Sequence, residues 1–532
     1  MRLFKLCIQV LFFLLVFALF VSRGASSGFS HDENQFIAAG QLLARHGLLP
    51  YVDYPFTHMP YGVAFYALSA AVSNYDFLAG RILNAIAWAL SALFIVLTIR
   101  VLAPRNSDGV LSEPSFSELL TEFVLVLVFL YHPIMRHIDG PALNHSLATL
   151  LCLVAVFFSA RALQHASVMR VPAFMSGVFV SLAVFVRLNF AAPALTLLLA
   201  WIVFAWAQKG HHPFRLLLRF VAGGFLAVLP GLVLAALSPA HFYYGNFAYI
   251  RLNTVYYQEM GYRLNMTLAD KLQSFGGILA GSPIDIGLYA ALIVFVVLAL
   301  IRYGRKRSTE SLLELALGGV TVALALSAFA PTPTQPQYYF APVPFMLIVV
   351  GLLSSKLEGR YRYAPLVVSM VIAIALSFSV RIPNPISELS FLTRPAQWMP
   401  IQIHDFDETL REYVPAGKVL TLLPMLPLEA GYDVYPFSAT GSFSWRTSEL
   451  LTTERRAQYG ITSPDELPQI LANDPPAGII TRLESTNDGF VRNDLGGLET
   501  PFGDYATAHG YTPVPLQAPF LRRTVTLWVK QP

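Results

Sequence analysis

The run Leu6-Cys7-Ile8-Gln9-Val10-Leu11-Phe12-Phe13-Leu14-Leu15-Val16-Phe17-Ala18-Leu19-Phe20-Val21, followed shortly by Ser30-His31-Asp32-Glu33, decides the reading of this chain. The first stretch carries no charge and, with its flanks, crosses a bilayer as a helix. The second places two carboxyl groups just outside that span. A carboxylate there reaches a reacting group whose lipid tail stays in the membrane, while a soluble partner approaches from the aqueous side.

Composition extends this to the whole chain. Of 532 residues, 55% are hydrophobic and 13% charged, and a mean hydropathy of +0.55 is far too apolar for a soluble protein of this size. Spanning runs lie near 6–22, 77–101, 118–134, 142–164, 173–189, 190–208, 216–238, 284–302, 311–330, 341–354 and 364–381, which predicts a polytopic α-helical membrane protein of about eleven transmembrane helices. Arg187, Asn189 and Pro193 interrupt 173–208. Two short helices meeting at a turn avoid burying that charge.

Cytoplasmic loops retain Lys and Arg. With the amino terminus inside, sixteen basic residues fall on the inner side and eight (Arg23, Arg45, Arg81, Arg136, Arg187, Arg251, Arg263 and Lys271) on the outer. Asp32 and Glu33 then face outward, which for a bacterial-type chain means the outer face of the inner (plasma) membrane. Ser22-Arg23-Gly24-Ala25-Ser26 also fits a cleaved signal peptide; the odd number of spans and the charge pattern favour retention.

From Arg381 onward the chain holds 12 basic and 17 acidic residues, against 24 and 15 before it. The expectation is a transmembrane domain over 1–382 and a small extracytoplasmic α/β domain over 383–532, joined at Pro383-Asn384-Pro385. Val419–Leu423, Gly478–Thr481 and Thr524–Val529 read as strands, and Phe406–Tyr413 and Asp465–Ala472 as helices. Leu423-Pro424-Met425-Leu426-Pro427-Leu428-Glu429-Ala430-Gly431 follows the first strand, a place where loops often bind.

Cys7 and Cys152 both fall in apolar spans without ligand spacing, which argues against disulfides, zinc sites and iron–sulfur clusters. No glycine-rich phosphate loop follows a strand, so soluble nucleotide binding has no support. The basic clusters read as membrane anchors, not as a nucleic-acid footprint. Asn144-His145-Ser146 and Asn265-Met266-Thr267 match a glycosylation pattern short enough to arise by chance.

The candidate chemistry collects in the outer loops. The first carries Asp32, Glu33, Arg45, His46, Asp53 and His58, with 33–46 read as a mildly amphipathic interfacial helix and Met59–Val72 as a second. Asp139 lies in the turn between the third and fourth spans, and two acidic sites at one membrane depth suit an acceptor, its proton or a divalent cation. Arg187 is an intramembrane charge whose guanidinium fits a phosphate. The loop from Ser238 to Ile284 holds Tyr249, Arg251, Asn253, Tyr256 and Tyr257, and Gln337-Tyr338-Tyr339 sits in a stiff, proline-rich turn. Each has a plainer reading as an N-cap, an interfacial belt or a snorkelling side chain.

Asp32-Glu33 after the first span, Gly47-Leu48-Leu49-Pro50-Tyr51-Val52-Asp53-Tyr54-Pro55, His58-Met59-Pro60-Tyr61-Gly62, Arg81, Asp139 and Gln337-Tyr338-Tyr339 with Pro342 occur in an order and spacing that resembles the integral-membrane C-type glycosyltransferases (GT-C), in the branch of the protein O-mannosyltransferases and aminoarabinose transferases. The resemblance covers roughly residues 1–380. It implies transfer of a sugar from a polyprenyl-phosphate donor to a lipid, glycan or protein acceptor on the outer face, usually with inversion. Asp32, with Glu33 beside it, would be catalytic, as general base or acceptor positioner. Arg187, Arg251 or Arg81 would bind the donor phosphate, and Asp53, His58, Asp139, Gln337, Tyr338 and Tyr339 the acceptor or sugar. No cofactor is implied with certainty. A transporter or flippase of lipid-linked sugars is the rival of a different class; inverted repeats and broken helices would mark it, and none is evident in the sequence.

Overall fold

The computed structural model describes residues 2–103, 115–164, 170–208, 211–358, 361, 363–379, 384–483 and 494–530. The expected boundary between 382 and 383, with Pro383, lies outside them. Each of the eleven apolar runs overlaps a helix. Among the described residues, eight helices are long and apolar enough to cross a membrane, among them Leu3–Ser26, Asp76–Leu102, Asn144–Gln164, His212–Leu237 and Pro283–Lys306, and Arg170–Val186 is a shorter apolar one. The chain is a multi-pass membrane protein.

Four helices frame the end of the bundle that carries the site: α1 (Arg2–Ser26), α2 (His31–His46), α3 (Tyr61–Val72) and α4 (Asp76–Leu102). α2 begins after Ser30, whose N–H is accepted at 2.9 Å by Glu33 Oε1, and stops at Gly47, where φ is 65°; a glycine is favoured at such a left-handed cap. It packs on α3 through Gly40. A Cβ there would sit 2.6 Å from the backbone of Tyr66, so only glycine lets the two helices touch.

The same device joins two spans. Added Cβ atoms at Gly177 and Gly223 would lie 1.9 and 2.1 Å from the carbonyl oxygens of Phe220 and Phe174, so Arg170–Val186 and His211–Leu237 meet backbone to backbone, as small residues permit within a membrane. Between Arg170–Val186 and Ala191–Ala207 the backbone extends at Arg187 (φ −153°, ψ 116°) and turns through Leu188–Phe190. The paired short helices read from the sequence are present.

The carboxy-terminal part forms a five-stranded sheet of β1 (Lys418–Leu420), β2 (Asp433–Val434), β3 (Gly478–Thr481), β4 (Tyr511–Ala518) and β5 (Arg523–Lys530), in the order β2-β1-β3-β5-β4. β1 runs parallel to β2 and β3, and β5 antiparallel to β3 and β4. β2 and β4 escaped sequence reading: one is two residues long, and the other carries Pro513 and Pro515, which suit an edge. The sheet does not stand apart. Phe36, Ile37, Tyr51 and Phe56 share one apolar cluster with Met399, Ile403, Leu426 and Val419, so the first loop is packed between the membrane helices and the sheet.

Candidate functional site

α2 is the organising element. Residues adjacent in a helix point about 100° apart, and here Asp32 and Glu33 separate. Glu33 is fully buried and pairs with Arg81 at 2.6 Å. Its second oxygen accepts from Arg81 Nε at 3.1 Å and from the Ala142 N–H at 2.8 Å. Arg81 gives its remaining N–H groups to the carbonyls of Gly24, Ser27 and Gly28 at 2.6, 2.8 and 2.9 Å. All five donors are engaged, which leaves none for a phosphate. Glu33, expected to be catalytic, and Arg81, expected to meet the donor phosphate, are thus joined to each other in a buried ion pair that links the end of α1 to α2 and α4.

Asp139 is likewise occupied. It is buried and bound to Arg23 at 2.6 Å, and Arg23 also meets Glu388 at 3.3 Å, which Arg136 holds at 2.9 Å. Burial pushes the Asp139 carboxyl up to about 6 against the pull of Arg23. This is a separate charge cluster from that of Asp32.

Asp32, half-buried, faces the other way. Its charge acts on Arg187, Tyr257 and Tyr338. Arg187 lies over the rings of Tyr338 and Phe340 at 5.5 and 5.7 Å and donates to Asn144 Oδ1 and His145 Nε2, both at 2.9 Å. A guanidinium only donates, so His145 accepts at Nε2 and carries its proton on Nδ1. That Nδ1 is buried without a hydrogen-bond partner.

A second guanidinium arrives from the carboxy-terminal part. Arg446 follows the short helix Ser442–Trp445 and donates to Tyr249 Oη and Asn253 Oδ1, both at 2.7 Å. Phe443, Tyr256 and Tyr257 offer their ring faces at 4.9, 5.5 and 5.7 Å. Burial works to lower its affinity for the proton, but the phenols of Tyr249, Tyr257 and Tyr256 hold it raised, so the charge stays. Its Nε is buried and unpartnered. His58 lies between these groups: burial first, then Arg187 and Arg446, force its imidazole down to about 3, so it is neutral near pH 7. Among the described residues no carboxylate oxygen lies within 4.0 Å of Arg187 or Arg446. Two half-buried cations without close counter-ions, beside one half-buried carboxylate, make a cluster suited to an anion.

The remaining expected residues fall elsewhere. Arg251 is exposed on the helix Tyr249–Glu259, opposite the side that meets Arg446. Asp53 is exposed and accepts the Leu49 N–H at 2.7 Å, closing its own turn. Tyr339 packs against Phe275 and Phe329 at 5.3 and 5.4 Å, and Gln337 is half-buried next to Tyr338. Arg446 was missed by sequence reading because nothing in its own neighbourhood marks it. Asn144 and His145 were visible only as a glycosylation pattern, which burial of Asn144 and Ser146 makes inaccessible.

No protein-family model matches the chain, and no curated protein does. Solved structures do. ArnT from Cupriavidus metallidurans bound to undecaprenyl phosphate superposes with a TM-score of 0.56 at 13% identity, over 98% of this chain and 97% of that one. Its apo form gives 0.54 at 13% identity over 99% and 97%. The Archaeoglobus fulgidus oligosaccharyltransferase tethered with an acceptor peptide gives 0.52 at 13% identity over 96% of this chain and 72% of that one. The chain has the GT-C glycosyltransferase fold.

Proposed function

We propose that this chain is a membrane glycosyltransferase that takes a sugar from a polyprenyl-phosphate donor and passes it to an acceptor at the outer face of the plasma membrane. The observation that carries the reading is the pair Arg187 and Arg446, two guanidiniums from distant parts of the chain that lack close carboxylates and flank Asp32 and His58. The structural neighbour ArnT, solved with undecaprenyl phosphate, supports the donor class.

The chemistry follows from the charges. An acceptor hydroxyl attacks the anomeric carbon while the bond from that carbon to the phosphate oxygen breaks. The electron pair leaves with the lipid phosphate, whose growing charge Arg187 and Arg446 stabilise. Asp32 accepts the hydroxyl proton or orients the hydroxyl for attack. A single displacement inverts the anomeric centre. His58, neutral, and the faces of Tyr257 and Tyr338 offer hydrogen bonds and stacking to the sugar without adding charge. The acceptor is a lipid, glycan or protein. Asp32→Asn, assayed for sugar transfer from polyprenyl-linked donor in membranes, is expected to lose at least about a hundredfold in turnover; wild-type turnover would remove Asp32 from the mechanism.

A further inference from the structure

A different cluster lies where the carboxy-terminal part meets the start of α4. His404 and Asp407 stand one turn apart on the helix Met399–Tyr413, and Glu429 closes the helix Met425–Glu429 inside the loop that follows β1. One ligand atom from each lies within 4.8 Å of the other two. His404 Nδ1 and Glu429 Oε1 are 3.2 Å apart. Asp407 is fully buried, and neither of its carboxylate oxygens has a hydrogen-bond partner.

A buried carboxylate with no donor is costly. Nearby cations make no hydrogen bond to it. Arg45 is engaged by Asp76 at 2.6 Å, and Arg411 donates to the Ala430 carbonyl at 3.0 Å. We propose that His404, Asp407 and Glu429 bind a divalent transition-metal ion of the zinc class. One imidazole and two carboxylates spread over this distance match bonds of about 2.0–2.2 Å to such an ion, and an imidazole ligand favours zinc over magnesium or calcium. The ring of Tyr75 stacks on His404 with centroids 3.8 Å apart and fixes its orientation. Glu429 Oε2 accepts the Phe77 N–H at 3.1 Å. The metal would therefore clasp two carboxy-terminal helices onto the first turn of α4, close to α2, as a structural site separate from the sugar-transfer chemistry.

The test uses the full chain purified in detergent, stripped with EDTA and then equilibrated with zinc chloride, with magnesium and calcium chlorides in parallel. Metal content by mass spectrometry is expected to show one more zinc per chain in the wild type than in Asp407→Asn, with magnesium and calcium not retained. The thermal midpoint is expected to rise with zinc in the wild type and to stay put in Asp407→Asn. Should that variant fail to fold, His404→Gln gives the same comparison, with the same zinc lost. Equal zinc in wild type and variants, or a wild-type midpoint indifferent to zinc, overturns the proposal.

Discussion

Replacing Glu33 by Gln separates a strut from a catalyst. The Glu33–Arg81 pair is closed at 2.6 Å with both side chains at 1% exposure or less. Glutamine keeps the shape but leaves Arg81 charged in a site without its counter-ion, a loss of about 3–5 kcal/mol. Globular chains gain about 2.1 cal/mol/K of entropy per residue on unfolding. If the whole chain melts as one unit, that is roughly 1.1 kcal/mol/K, so the midpoint drops by about 3–5 °C; if only the α1–α4 region yields first, the drop is larger. Arg81→Met is expected to cost more, because it also strands the carbonyls of Gly24, Ser27 and Gly28. Static light scattering or intrinsic fluorescence on heating in detergent measures both. Turnover per folded molecule below the transition should stay within a few-fold of wild type. A Glu33→Gln protein that melts like wild type yet transfers no sugar would refute the strut and restore Glu33 to the chemistry.

Arg187→Lys keeps a charge but loses the planar fork, and a donor KM raised about tenfold or more in steady-state transfer assays is expected; an unchanged KM would count against phosphate contact. Because the His58 imidazole is held at about 3 in the folded chain, the unfolded state, near 6.5, binds one more proton between those values. Its contribution is therefore complete above about pH 6.5 and falls with acid by up to about 1.4 kcal/mol per pH unit. Stability measured against pH should be flatter in His58→Gln over that window, and parallel curves would contradict the burial argument. A truncation ending at residue 380 uncovers the cluster that Phe36, Ile37, Tyr51 and Phe56 share with Met399, Ile403 and Leu426; aggregation on size-exclusion chromatography is expected, and a monodisperse, stable fragment would show that the first loop folds alone.

Much of the fold was legible because membrane spans leave a long-range signal in composition: every apolar run overlaps a helix, and eight helices among the described residues are long enough to span. Arg187 was legible for the same reason, as a charge that no single long helix could bury. The site was harder. Asp32 and Glu33 read as one acidic pair, yet helical rotation sends them to different partners. Arg251 belongs to the right helix and the wrong side of it, and that side is decided by Arg446, which lies 195 positions on in the chain. Asp139 looked available because its partner, Arg23, sits in what reads as the tail of a membrane anchor. Arg446 has no local signature at all. Pairings of this kind are set by tertiary packing, and residue type alone does not reveal them.

In the proposed mechanism Arg187 and Arg446 together hold a lipid phosphate beside Asp32. Binding of polyprenyl phosphate and of the uncharged polyprenol to the purified protein, compared among wild type, Arg187→Met and Arg446→Met by native mass spectrometry or calorimetry, tests it directly. Wild type is expected to prefer the phosphate by at least about tenfold, as charge-assisted bonds of about 1.5–3 kcal/mol require, and each variant to lose most of that preference. Equal preference in all three proteins would contradict it.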